Sequence, residues 1–123
     1  MNFQDYIIND VAMQDINQDV AAVKAIFDEL TYSHLPISEN GVYIGCMSEN
    51  DVRCFEAEKS LKDCRYSFES FFARNTVNWL DVLENFANNH TNIMPVLDDQ
   101  NNYLGYVELN DIISLFNETP FLN

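Results

Sequence analysis

A chain of 123 residues that is 47% hydrophobic buries one core of ordinary size and points to a single compact unit. With 20 acidic against 6 basic side chains its formal charge is -14, a field that repels nucleic acid and anionic lipid and argues against both as partners. The first twenty residues carry Asp5, Asp10, Asp15 and Asp19 without a sustained apolar run, and no segment approaches the roughly 18 apolar residues of a membrane span, so a soluble cytoplasmic protein is expected.

In chain order, Asp19 is placed to cap a helix whose apolar residues Val20, Val23, Ile26, Phe27 and Leu30 recur at helical spacing. A short strand over 34–37, the turn-forming stretch SENG and a second strand over 42–47 follow, and Ser48 opens another helix. Residues 54–72, CFEAEKSLKDCRYSFESFF, mix charge with aromatics and hold neither Gly nor Pro, which predicts a packed helical connector rather than a flexible linker. Asn78 then caps a helix through Trp79, Val82, Leu83 and Phe86. The strand Ile93–Leu97, the turn DDQNN, a strand over 103–107 and a helix over 111–116 complete the chain. The tail NETPFLN ends on apolar residues without a recognisable stop, as a fragment of a longer protein would.

The two halves repeat. Aligning Pro36 with Pro95 puts Val23 on Val82 and Phe27 on Phe86. One extra loop residue then aligns Tyr43, Gly45, Asn50 and Asp51 with Tyr103, Gly105, Asn110 and Asp111. YIGCMSENDV thus recurs as YLGYVELNDI, and of three glycines two fall at the same repeat position. Each half is at the lower edge of what folds alone, so the copies are expected to share one core across a pseudo-twofold axis, residues 1–58 forming the first and 59–123 the connector helix and the second. Cys46, Cys54 and Cys64 are odd in number and fit neither a disulfide framework nor the short ligand pairs of a zinc site. They are expected to be reduced thiols packed in the fold.

The pattern of helix, proline-bearing strand, glycine-bearing strand and Ser/Thr-x-x-Asp helix start, given twice, resembles a tandem pair of cystathionine-beta-synthase (CBS) domains. The carriers are SHLPI with YIGCMSENDV in the first copy and NIMPV with YLGYVELNDI in the second, and the resemblance covers about residues 8–116. It implies an α+β module of two pseudo-symmetric repeats that is not an enzyme, binds adenosine-containing ligands in clefts and packs as a homodimer. It also implies roles for individual residues: Asp51 and Asp111 would accept hydrogen bonds from ribose hydroxyls, Ser48 would meet phosphate, and adenine would lie against apolar strand residues, Leu35 in the first copy. Many CBS domains carry a basic residue two positions before the proline. That position is His34 in the first copy and Ile93 in the second.

Each of these residues also has a local explanation. A helix N-terminus attracts phosphate through its unpaired N–H groups, yet Ser48-x-x-Asp51 equally resembles a capping box that stabilises a helix by about 1 kcal/mol with no ligand. His34 is either a phosphate or adenine contact or a hydrogen-bonded packing residue, and His90 is expected to be exposed. Asp111 doubles as an acidic residue in the first turn of a helix. Glu108 stands where Ser48 stands in the first copy. Like charges about 4 Å apart at an effective dielectric near 20 repel by roughly 4 kcal/mol, enough to abolish modest phosphate affinity in the second copy. Arg53 is expected to pair with a neighbouring carboxylate. With few cations, a triphosphate would need magnesium, whereas AMP, ADP or an uncharged adenosyl compound is easier to hold.

No nucleophile elbow, phosphate loop, paired-His metal motif or supported Cys-His arrangement is present in the sequence, which speaks against an enzyme and requires no cofactor. The expected function is therefore regulatory sensing of an adenosine-containing metabolite, signalled to a partner domain. The alternative is a ligand-free dimerisation module that needs only the capping role of Ser48.

Overall fold

Two parallel-then-antiparallel sheets of identical order, each flanked by helices, make up the computed structural model, which describes residues 2–118. In the first, β1 (Gln14–Asp15) runs parallel to β2 (His34–Glu39), which pairs antiparallel with β3 (Val42–Ser48); α1 (Val20–Glu29) links the parallel strands and α2 (Glu49–Val52) follows β3. The second repeats the series with β4 (Ala73–Arg74), α3 (Trp79–Asn89), β5 (Ile93–Leu97), β6 (Tyr103–Glu108) and α4 (Leu109–Glu118). The fold is α+β, with β-α-β-β-α twice; β1 and β4, two residues each, are too short for a sequence period to announce.

The chain divides into two compact units, Val11–Phe71 on one side and the residues up to Asp10 together with those from Phe72 onward on the other. The exchange of N-terminal segments is built symmetrically. In the first unit Cys46 of β3 and Glu69 exchange backbone hydrogen bonds of 2.7 and 2.9 Å; in the other, Ile8 and Tyr106 of β6 do the same at 2.9 and 2.8 Å. Each sheet thereby gains a short fourth edge pairing that covers otherwise open strand donors and acceptors.

The repeat alignment holds in the packing. Val23 and Val82 are fully buried, Phe27 and Phe86 are each 2% exposed, and each such side chain stabilises the fold by about 2 kcal/mol on burial. Both antiparallel pairs carry a bulge at the same place, where Ile44 and Leu104 have no cross-strand partner immediately before Gly45 and Gly105. The turn after β2 is a two-residue hairpin in which Asn40 and Gly41 both take positive φ, 53° and 79°, the conformation that Asn-Gly favours. In DDQNN, Asp98 accepts from the N–H groups of Gln100 and Asn102, both at 2.9 Å, and those bonds, led by Asn102, hold its carboxyl below the usual range.

Three expectations are corrected. Residues 54–72 hold a 3-10 helix over Leu61–Ser67 and turns, not a long α-helix, because their backbone is spent elsewhere: the carbonyls of Lys59 and Ala57 accept from Val20 and Ala21 at 2.7 and 2.9 Å, and Leu61 and Lys62 donate back to Gln18 and Ile16. The same contacts cap α1, so Asp19 occupies the N-cap position without a side-chain bond. Cys54 is exposed, whereas Cys46 and Cys64 are buried. His90 is exposed as expected and closes α3 in the left-handed conformation, φ 50° and ψ 44°. Among the described residues no helix is long and apolar enough to cross a membrane. The tail over 119–123 lies outside the described residues.

Candidate functional site

The start of β2 and the end of β3 meet at one corner of the Val11–Phe71 unit. His34 and Ser48 are cross-strand partners there, so their side chains share a face of the sheet. Leu35, the next residue, faces the other way and is fully buried in a core with Ile37, Met47 and Val52. Asp111, the remaining sequence candidate, belongs to the other unit.

Ser48 is the N-cap of α2, and its Oγ accepts from the N–H of Asp51 at 3.0 Å; the N–H of Glu49 donates to the Ser33 carbonyl at 2.9 Å. Two of the first three amides of α2 are thus satisfied within the chain. At four residues α2 also sums few peptide dipoles. The capping role of Ser48 is therefore real in this geometry. Asp51 is half-buried, and among the described residues its carboxylate makes neither a hydrogen bond nor an ion pair, which leaves an acceptor beside the cap ready for a pair of hydroxyls.

His34 is 5% exposed and both its ring nitrogens are engaged. Nε2 donates to Glu69 Oε2 at 2.9 Å, Ser33 Oγ lies 2.8 Å from Nδ1, and the ring meets Phe71 edge-on with centroids 5.2 Å apart. A carboxylate only accepts, so this pairing places a proton on Nε2. Glu69, with its side chain 42% exposed, is held in place by the backbone pairing with Cys46. It is the residue of this corner that sequence reasoning missed. Its register with β3 leaves no periodic signal in the sequence.

Behind this corner, Cys46 is wholly buried, with Sγ 3.4 Å from the Tyr43 hydroxyl, which donates to the Phe71 carbonyl at 2.5 Å. Burial pushes its thiol up to about 12, the Tyr43 bond pulls it down in part, and Glu69 adds to the rise. Burial also raises Cys64. Iodoacetamide at about pH 8 is accordingly expected to label Cys54 alone in the folded protein and all three thiols after denaturation, read by intact mass; native labelling of Cys46 would contradict this packing.

The second unit repeats the frame with different chemistry. Glu108 is the cross-strand partner of Ile93, and the N–H of Leu109 donates to the Asn92 carbonyl at 3.0 Å, as Glu49 does to Ser33. Asp111 is half-buried, and its carboxylate too is without a partner among the described residues. Here the helix that follows, α4, has ten residues.

Four of the Lys and Arg side chains have hydrogen-bond or ion-pair partners within the chain. Arg53 donates to Asp28 at 2.8 Å and Glu49 at 2.9 Å, which holds it above its ordinary value. Arg65 pairs with Glu39, Arg74 donates to the Asp98 carbonyl and Lys24 to the Phe55 carbonyl. Among the described residues no group of three His, Cys, Asp or Glu side chains is placed to hold a metal ion.

Residues 72–118 match the CBS domain family profile. No curated protein matches the chain by sequence. Its backbone superposes with a TM-score of 0.84 on a CBS domain pair/ACT domain protein from Thermotoga maritima, at 17% identity over 96% of this chain and 98% of that one. The cystathionine beta-synthase pair domain of a putative Mg2+ transporter from Shewanella oneidensis MR-1 gives 0.82 at 20% identity over 95% and 70%. CBSX2 in complex with AMP gives 0.76 at 12% identity over 95% and 96%. Residues 72–118 carry the sequence signature of a CBS domain, and the whole chain has the backbone fold of solved CBS domain pairs.

Proposed function

We propose that this protein is a regulatory module that senses an adenosine-containing metabolite at the corner built by Ser48, Asp51 and His34. The observation that carries the reading is the unengaged Asp51 carboxylate, half-buried three residues after the cap, where a ribose diol finds two acceptor oxygens. Solved proteins of the same fold in complex with AMP, c-di-AMP and ATP support the ligand class. The module works as a binding protein, in the cytoplasm, and passes ligand occupancy to a partner domain; by linkage the partner's state then alters ligand affinity equally. It self-associates through the α3–α4 surface, where Leu80, Ile113 and Phe116 are 53%, 40% and 38% exposed.

Calorimetric and thermal-shift titrations with adenosine, AMP, ADP, ATP and S-adenosylmethionine, with and without magnesium, test the reading. At least one ligand is expected to stabilise the fold by about 2.7 kcal/mol at a hundred times its Kd. Asp51→Ala is expected to weaken that ligand about a hundredfold with the unliganded melting temperature nearly unchanged, since the cap uses the Asp51 amide and not its carboxylate.

A second reading, a ligand-free dimerisation module, is favoured by the Ser48 hydroxyl and both His34 nitrogens already having partners. Silence across the titration panel in a protein that light scattering shows to be dimeric selects it.

A further inference from the structure

We infer that Glu69 is a specificity residue that turns the first-repeat corner against phosphate and toward adenosine ligands whose 5′ substituent is neutral or positively charged. This rests on the adenosine reading above and narrows it.

His34 is the cross-strand partner of Ser48, the basic side chain that the first repeat places at this corner among the described residues, and its Nε2 is bonded to Glu69 Oε2 at 2.9 Å. The donor that would serve a ligand phosphate therefore already serves an internal carboxylate. Glu69 cannot drift away freely, because its backbone exchanges two hydrogen bonds with Cys46 and the chain two residues on is anchored where the Tyr43 hydroxyl meets the Phe71 carbonyl. A phosphate set against Ser48 would face the carboxylates of Glu69 and Asp51, with Glu49 adjacent and the nearest guanidinium, Arg53, bound to Asp28 and Glu49. Like charges at such spacing repel, and desolvation by a bound ligand strengthens the repulsion. Replacing the 5′-phosphate with a hydroxyl removes the conflict, and replacing it with an ammonium gives Glu69 a partner of opposite charge.

Calorimetry with adenosine, AMP and 5′-amino-5′-deoxyadenosine on the whole chain tests this. Wild type is expected to bind adenosine about tenfold more tightly than AMP and the amino compound at least as well as adenosine. Glu69→Gln keeps an acceptor for His34 Nε2 and removes the charge. It is expected to improve AMP about tenfold, to weaken the amino compound and to leave adenosine within about threefold, whereas Glu69→Asp, which keeps the charge, retains the wild-type order. A merely structural Glu69 would shift all three ligands together. Wild type binding AMP as well as or better than adenosine, with Glu69→Gln leaving that ratio unchanged, would overturn the inference and leave the adenosine-sensor reading intact. No heat from any of the three with wild type or Glu69→Gln would overturn this inference, and silence across the full ligand panel as well would overturn the sensor reading with it.

Discussion

Replacing Gly105 with alanine is expected to lower the melting temperature by about 10 °C or more, the equivalent of about 3 kcal/mol, while the same change at Gly45 costs about half as much. Both glycines take a large positive φ, 133° and 146°, so the backbone strain of adding a side chain is common to the two. What differs is the neighbour. A Cβ on Gly105 would lie 2.4 Å from the Ile8 carbonyl oxygen and 3.0 Å from the Ile7 side chain, whereas on Gly45 it would lie 3.2 Å from the Glu69 carbonyl and 3.3 Å from the Phe68 Cβ. The Ile8 carbonyl accepts from Tyr106, so Gly105→Ala must push away the segment that seals the edge of β6. Limited proteolysis is therefore expected to cut the Gly105→Ala protein within its first ten residues and to leave that segment of the wild type intact. Equal losses in the two variants would mean that φ alone sets the cost and that the close approach of Ile8 contributes nothing.

These glycines show what was legible in the sequence. The duplication of Gly45 and Gly105 beside Pro36 and Pro95 revealed two copies of one unit, and the copied apolar positions, Val23 with Val82 and Phe27 with Phe86, are buried pairwise. The reason for the glycines was not legible. Ile7 and Ile8 lie far upstream of Gly105, and no local pattern ties them to it. The connector failed for a related reason: 54–72 lacks breakers and so reads as a helix, but Ala57 and Lys59 give their carbonyls to the start of α1 and Glu69 pairs with Cys46, so long-range backbone bonds displaced the local ladder. At the site, Ser48 and Asp51 were visible because a cap and its acid are three residues apart, whereas Glu69, 35 positions from His34, becomes a neighbour only through that edge pairing.

Glu108→Ser is expected to raise the affinity for AMP, or the number of AMP molecules bound per chain, because it removes the charge that most separates the second repeat from the first. Glu108 holds the position of Ser48, directly before a helix start built in the same way, with Leu109 donating to Asn92 as Glu49 does to Ser33. Behind it α4 runs for ten residues against four in α2, so once the carboxylate is gone the second helix offers the larger dipole of the two, with the unengaged Asp111 three residues on. Repulsion of roughly 4 kcal/mol at about 4 Å is the upper bound. Glu108 is half-exposed, so screening by water and salt reduces this to a gain of about tenfold that shrinks as ionic strength rises. Glu108→Gln separates charge from size. If both variants gain, the carboxylate's charge was the obstacle; if only the serine variant gains, its length was. If neither gains, Ile93, which replaces the histidine of the first repeat, closes that corner by shape, and the inequality of the two repeats is steric rather than electrostatic. Paired with Glu69→Gln, the charge explanation makes a stricter demand: the double variant is expected to bind two AMP molecules per chain, each repeat relieved of its own carboxylate.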